Sequence, residues 1–236
     1  GAPHIVAVDV GLKYNQLRCL LERGCKVTLV PFDHDFTKDE NYDGVFVSNG
    51  PGDPVMAAAT IENLKKVITT SSKNPKGPIP VFGICLGHQL LALAAGFKTH
   101  KLKYGNRGHN QPCIEHKTGR CYITSQNHGY VVDTDACPEG WGPIFTNAND
   151  FTNEGIACAT APYFSVQFHP EASAGPNDTQ FLFDKFIACV VARKEGKPAS
   201  EFQSFIPSPQ AKMRTEAEFE LKNVKKVLVL GSGGLS

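Results

Sequence analysis

No apolar run in the 236 residues reaches the roughly 18 that a membrane-spanning helix needs, which argues against a membrane anchor. There is no long block of one charge either. The 24 Lys and Arg against 23 Asp and Glu leave a net +1, so composition gives no reason to expect a nucleic acid or an anionic lipid surface as partner. The start, Gly1-Ala2-Pro3-His4, has no basic segment leading into an apolar one, so no signal peptide is read there. It has no initiator methionine, and the chain reads as a processed or excised fragment. Eight cysteines are present, but no Cys-x-x-Cys pair. His109, Cys113, His116 and Cys121 match the spacing of no zinc module, and no metal is expected. Scattered, unpaired cysteines in a chain this long point to a reducing compartment, the cytoplasm.

What the sequence does have is a 41% hydrophobic content and one stretch around which the rest is arranged: Pro80 to Gly96, PVFGICLGHQLLALAAG. It opens as an apolar strand, Val81 to Ile84. It closes as an apolar helix, Leu90 to Ala95, with Gly96 at the C-cap. Between them, Gly83-Ile84-Cys85-Leu86-Gly87 has the form of a nucleophile elbow, with cysteine where serine is more familiar. A side chain at the centre of such a turn is presented at a helix N-terminus, whose partial positive charge favours an anion. The plain alternative is a cysteine buried in a core strand. The glycines on both sides and the following helix favour the nucleophile.

Taken in order, His4–Val10 reads as a core strand, Tyr14–Arg23 as a helix stopped by Gly24, and Cys25–Val30 as a second strand. A strand, helix, strand opening implies a right-handed crossover and a parallel sheet. A third strand, Gly44–Val47, runs into the loop Ser48-Asn49-Gly50-Pro51-Gly52-Asp53-Pro54, followed by a helix over Val55–Thr69. After Gly96 come short strands at 99–104, 111–115, 120–125, 131–133, 143–147, 155–159 and 163–168, read as antiparallel additions. A terminal amphipathic helix carries Phe181, Phe183, Phe186, Ile187 and Val190, with Asn177 or Asp178 as its cap. The expected fold is therefore α/β: an open, mixed, mostly parallel sheet flanked by helices, with added antiparallel strands. The expected organisation is a domain over 1–192, a Pro-, Ser- and Lys-rich linker over 193–223, and at 224–236 a first strand and glycine-rich turn of a truncated second domain. Gly231-Ser232-Gly233 is half a phosphate-binding motif, and no nucleotide is expected there.

A thiol nucleophile needs a base, and the base needs an orienting acid. Phe168-His169-Pro170-Glu171 supplies both, giving Cys85, His169 and Glu171. His169 takes and returns the proton, while Glu171 fixes the tautomer and stabilises the imidazolium. His128 is the rival base; His88 follows the thiol by three residues but has no evident acid. The oxyanion needs two donors: the Leu86 amide, next to the nucleophile, and an amide of the Gly50-Pro51-Gly52 loop.

Cys85 in Gly-Ile-Cys-Leu-Gly-His-Gln, with His169-Pro170-Glu171 downstream, resembles the class I (triad) glutamine amidotransferases. Ser48–Pro54, Asn106–Pro112 and Ser125–Tyr130 narrow the resemblance to the glutaminase domain of glutamine-dependent carbamoyl-phosphate synthetase, in the form found in multifunctional eukaryotic pyrimidine-pathway enzymes. The likeness covers residues 4 to about 192. Val227–Ser236 is similar to the start of the synthetase domain. The resemblance implies attack of Cys85 on the side-chain amide of glutamine, a γ-glutamyl thioester, and an oxyanion held by Gly52 and Leu86. It implies a glutamine pocket formed by Gly50, Gly52, Leu86, Gln89, Asn127, Gly129 and Tyr130. The Tyr130 position more often holds phenylalanine in the family. It also implies no cofactor for the glutaminase step. ATP and Mg would serve a synthetase domain of the same polypeptide, which would receive the ammonia and make carbamoyl phosphate from bicarbonate. A small N-terminal domain of the family, whose serine helps bind glutamine, has no counterpart in this sequence. Other readings are an amidotransferase for anthranilate, GMP or CTP synthesis, a silent docking module for a synthetase, or an α/β-hydrolase. The last expects its acid between nucleophile and histidine.

Overall fold

His4–Asp9 (β1) is apolar almost without a break because both of its faces are covered. Ile5 and Ala7 join the core on one side of the sheet, Val6 and Val8 the core on the other. The computed structural model describes residues 1–70, 76–173 and 178–197. Tyr14–Glu22 (α1) carries the chain over to Lys26–Pro31 (β2), which pairs parallel with β1. Gly44–Val47 (β3) pairs parallel with the other edge of β1. A 3₁₀ turn, Pro54–Ala57, capped by the Asp53 carboxylate on the Val55 N–H, leads into Ala58–Thr70 (α2). Val81–Ile84 (β4) and Leu86–Ala95 (α3) are joined by Cys85 alone.

Lys98–Glu115 (β5) and Cys121–Asp133 (β6) form a long antiparallel ribbon. The four short strands expected across this region are these two long ones. Shifts of register between Lys101 and Asn106 and between Gly108 and Gln111 break the alternation that would have revealed them. Trp141–Asn147 (β7), Asn153–Cys158 (β8) and Tyr163–Val166 (β9) complete a nine-stranded sheet in the order β2-β1-β3-β4-β9-β8-β7-β5-β6 among the described residues. The five strands from β2 to β9 in that order are parallel, and the last four are antiparallel additions. The strand expected at 163–168 as an antiparallel addition is instead the fifth parallel strand, because β9 lies in register beside β4 and is antiparallel only to β8. The expected fold class is the one observed.

Phe181–Lys194 (α4) packs with α1 on one face. There Phe82 stacks on Phe164 at 4.6 Å between ring centres, with Phe46, Phe183 and Phe186 around the pair. Leu64, Val67, Leu90 and Leu91 of α2 and α3 cover the opposite face. Helix α4 starts at Phe181 behind Gln180, whose side chain makes no capping bond. Asp178 lies in the turn before it, and Asn177, the other expected cap, lies outside the described residues. Arg193 and Lys194, expected to open the linker, finish the last turn of α4. The rest of that linker beyond residue 197, and the strand and Gly231-Ser232-Gly233 turn expected over 224–236, lie outside the described residues. No described helix is long and apolar enough to cross a membrane, and all eight cysteines are free.

Candidate active site

The chain leaves β1 toward α1 and β2 on one side, and meets β3 on the other. Ligands of open parallel sheets gather at such a reversal, beyond the C-terminal strand ends. Four connections meet there: Val10–Lys13 after β1, Ser48–Asp53 after β3, Cys85 after β4 and Gln167–Glu171 after β9.

Cys85 has φ 54° and ψ −103°, outside the regions open to an ordinary residue. Holding a non-glycine residue there costs about 1–3 kcal/mol. The flanking glycines explain how the turn is held. A Cβ on Gly83 would come within 2.5 Å of the Gly87 carbonyl, and one on Gly87 within 2.2 Å of the Val47 carbonyl. Cys85 N–H donates to Val166 O at 2.9 Å and Gly87 N–H to Ser48 O at 3.0 Å. Between them, the Leu86 amide belongs to the first helical turn, whose N–H groups have no partner within the helix. Helix α3 thus begins at Leu86, four residues ahead of the expected start, with Gly87, His88 and Gln89 in its first turn.

The imidazole of His169 is hydrogen-bonded to Glu171, and Cys85, whose thiol donates weakly to Asn127 O at 3.9 Å, is near enough to favour the protonated ring. The ring's Nδ1–H donates to Glu171 Oε1 at 2.8 Å, which leaves Nε2 for the thiol. Burial pulls the ring's pKa down, but Cys85 and Glu171 together outweigh it, and the net shift is upward. Both His169 and Glu171 are buried, at 4% and 1% exposure, so water screens the pair little. Lys13 Nζ lies 3.5 Å from the same Nδ1. This arrangement can carry acyl transfer: a thiol on a strained turn, a histidine able to move its proton, a carboxylate behind the histidine, and a helix N-terminus for developing negative charge.

A pocket of about 400 Å³ opens beside the thiol. All seven residues expected to bind the substrate line it. Gly50, Gly52 and Leu86 form one side; Gln89, Asn127, Gly129 and Tyr130 form another. Gly50 touches the β1 end so closely that a Cβ there would lie 1.8 Å from Val10 O, and Gly52 has φ 95°. Gln89 donates both hydrogens of its Nε2, to Tyr130 O at 2.9 Å and to Gln167 Oε1 at 3.0 Å, so that only its Oε1 is left to face a ligand. Tyr130 OH donates to Asp53 Oδ2 at 2.9 Å and joins β6 to the glycine loop. The motifs at 106–112 and 125–130 are one unit: Asn106 faces His128, Arg107 faces Asn127 and Gly108 faces Gln126 across the ribbon.

The rival histidines are committed elsewhere. His128 lines the pocket, but its ring nitrogens meet Tyr130 O and Gln126 Oε1, each at 3.0 Å, and burial lowers its pKa to about 4. His88 is fully buried with Nδ1 on Ser165 Oγ at 2.9 Å, and burial lowers its pKa to about 3. His109, Cys113 and His116 pair with Ser125, Thr124 and Thr146, and Cys121 is exposed.

Lys13, Asn49 and Arg107 also line the pocket, and Gln16 lies behind it. Periodicity along the chain marks none of them. The one available signal was topological: Lys13 to Gln16 begin the first helix after the first strand, at the end of the sheet where such sites form.

The sequence profile of the glutamine amidotransferase class-I family matches residues 6–189. The multifunctional protein pyr-3 of Neurospora crassa is 52% identical over 236 residues, which cover 98% of this chain and 12% of that protein. The carbamoyl phosphate synthase arginine-specific small chain of Candida albicans is 58% identical over 185 residues, 78% of this chain and 42% of that one. The chain thus spans only a small part of the multifunctional relatives. Among solved structures, a putative GMP synthase component from Thermoplasma acidophilum superposes with a TM-score of 0.69 at 22% identity, covering 83% of this chain and 97% of its own. At that identity the likeness speaks to the fold.

Proposed function

Because the chain belongs to the class-I glutamine amidotransferases, we propose that it hydrolyses the side-chain amide of glutamine, with Cys85 as nucleophile, His169 as acid and base, and Glu171 as the orienting carboxylate. The thiolate attacks the amide carbon. The amides of Leu86 and Gly52 receive the oxyanion, and each such donor is worth about 10²–10³-fold in rate. His169 protonates the departing amine, which leaves as ammonia, and a γ-glutamyl thioester remains on Cys85. Water, deprotonated by the same imidazole, then releases glutamate and the thiol. The observation that carries this reading is the 2.8 Å bond from His169 Nδ1 to Glu171 Oε1, behind a cysteine held at positive φ.

The pocket fits glutamine in its polarity. Gln89 offers only an acceptor, Oε1, which suits the α-ammonium group, while Gly50, Asn127, Gly129 and Tyr130 supply the remaining walls. No cofactor enters this step. The name of the Candida albicans relative supports carbamoyl phosphate synthesis as the use of the ammonia; we place this in the first step of pyrimidine synthesis, in the cytoplasm. In that reading a synthetase domain of the same polypeptide takes up the ammonia and uses bicarbonate, ATP and Mg.

Cys85→Ser is the direct test. Ammonia release from glutamine should vanish while the thermal midpoint stays near that of the parent. Peptide mapping after treatment with a glutamine-like electrophile should place the adduct on Cys85. Undiminished ammonia release, or an adduct on another cysteine, would sink the mechanism. Stimulation of the chain's glutaminase by an added synthetase region tests the assignment of the acceptor.

A further inference from the structure

Gln16 is a polar side chain with 0% exposure in the first turn of α1. A buried carboxamide without partners is costly, and an aliphatic side chain of the same size would fill the space without that cost. The polar atoms of Gln16 are satisfied by two different parts of the site. Its Nε2 donates to Glu171 Oε1 at 3.0 Å, and its Oε1 accepts from the Asn49 N–H at 3.4 Å. Oε1 of Glu171 therefore receives two donors, His169 Nδ1–H and Gln16 Nε2–H, while its Oε2 is buried with no partner among the described residues. Apart from the histidine it serves, the side chain of Glu171 is tied down by Gln16.

The neighbours of Gln16 reinforce both ties. Asn15 Nδ2 donates to the backbone carbonyl of Glu171, and Lys13 N–H donates to Asn49 Oδ1 at 3.0 Å. One turn of helix thus grips the loop after β9 and the loop after β3. Lys13 also reaches both loops, through its N–H on Asn49 and its Nζ 3.5 Å from His169 Nδ1, but Gln16 bonds both with one buried carboxamide and holds the Glu171 carboxylate itself. Asn49 directly precedes Gly50-Pro51-Gly52, the loop that supplies the second oxyanion donor.

We propose that Gln16 is a positioning residue for glutamine hydrolysis, whose single buried carboxamide fixes the Glu171 carboxylate and the Asn49–Gly52 loop relative to one another. The proposal rests on the triad assigned above and deepens it. The donated bond holds the Glu171 carboxylate in line with His169. The accepted bond sets how far the oxyanion loop stands from Cys85. Both effects act on the transition state, so removing them lowers kcat and kcat/KM together and leaves KM nearly unchanged.

The test uses two variants of the chain, with Glu171→Gln as reference. Gln16→Met keeps the volume and removes both bonds. Glutaminase kcat should fall by about ten- to a hundredfold, the range a hydrogen bond to a charged group commands. The pH profile of Cys85 alkylation, which reports the thiol's pairing with His169, should shift in the same direction as in Glu171→Gln. Gln16→Glu keeps the acceptor for Asn49 and places a second carboxyl about 3 Å from Glu171. Two carboxyls at that distance do not both ionise readily, so this variant should gain a steep pH dependence in kcat that the parent lacks. If either variant folds with kcat and alkylation profile both within about twofold of the parent, or loses only thermal stability, while Glu171→Gln is impaired, Gln16 is core packing and the proposal is overturned. If Glu171→Gln is itself unimpaired, the triad reading fails first. If Gln16→Met does not fold, the pH dependence of Gln16→Glu decides.

Discussion

Gly87→Ala sets two physical effects against each other, and the structure says which wins. Gly87 lies in the first turn of α3, where alanine is the better helix former by about 1 kcal/mol. On propensity alone the substitution stabilises. However, the new Cβ would stand 2.2 Å from Val47 O, 2.8 Å from Val47 C and 2.9 Å from Ser48 O. Opening the shortest contact to 3.0 Å needs 3.0 − 2.2 = 0.8 Å of movement. The obstacle is backbone, not a side chain that can turn aside. Val47 is in register with Val8 on one side and Gly83 on the other, so β3 cannot yield and α3 must lift away. Overpacking of this kind costs about 1–3 kcal/mol, and a rigid obstacle puts it at the upper end. The net loss is about 2 kcal/mol after the propensity gain, or a fall of roughly 4–8 °C in thermal midpoint for a domain of this size. The same movement carries Cys85 and the Leu86 amide off the glycine loop by nearly an ångström. Misplacement on that scale costs on the order of a hundredfold in rate. Thermal unfolding and a coupled assay for glutamate release test both numbers. A variant as stable as the parent or more so, with activity within about twofold, would show that helix propensity governs this position and that the close approach of α3 to β3 does not.

The net upward shift of His169 predicts a pH signature in stability. The folded protein holds a proton that the unfolded chain gives up above about 6.5, so this contribution is complete below that pH and is lost as pH rises through the folded value. Glu171→Gln weakens the hold and should flatten the alkaline decline of the thermal midpoint between pH 6.5 and 9; an unchanged slope would refute the pairing. Glu154, fully buried beneath the ribbon, is raised well above the usual carboxyl range, chiefly by burial. Its contribution is likewise complete below about 4.5 and is lost as pH rises. Glu154→Gln should remove that part of the decline, and parallel melting curves across pH for parent and variant would contradict it. Tyr130→Phe severs the link to Asp53 across the pocket mouth and should raise KM for glutamine by less than about fivefold, as befits one bond at a part-buried site. A collapse of kcat would give this hydroxyl a part in the chemistry.

Much of the fold was legible because the parallel strands are buried on both faces. Their apolar runs at 5–8, 45–47 and 81–84 admit few other readings. The ribbon was harder. Its breaks of register, with Gly105, Gly108 and Gly129, look like turns in a linear reading although the strands continue through them. The first turn of α3 was lost for a related reason. Its residues, Gly87, His88 and Gln89, are chosen for the pocket and the close approach to β3, and they hide the helical pattern. Within the site, the Cys85 elbow and the His169–Glu171 pair were readable because each is local, a few residues of strong type. Gln16 and Arg107 were not. Gln16 meets Glu171 across 155 positions of sequence, and Arg107 reaches the pocket only through pairing with Asn127.

That long reach bears on how a reactive thiol is kept harmless while the chain is being made. Cys85 is synthesised well before its histidine, and the glutamate behind that histidine is held by a residue near the other end of the domain. Until β9 has entered the sheet beside β4, and the chain beyond it has met α1, the cysteine has no base and the base has no anchor. A half-folded or truncated chain would therefore display an ordinary thiol, slow toward amides and electrophiles alike. Reactivity would switch on with the last contacts of folding, which makes the onset of electrophile labelling at Cys85 a clock for completion of the native structure.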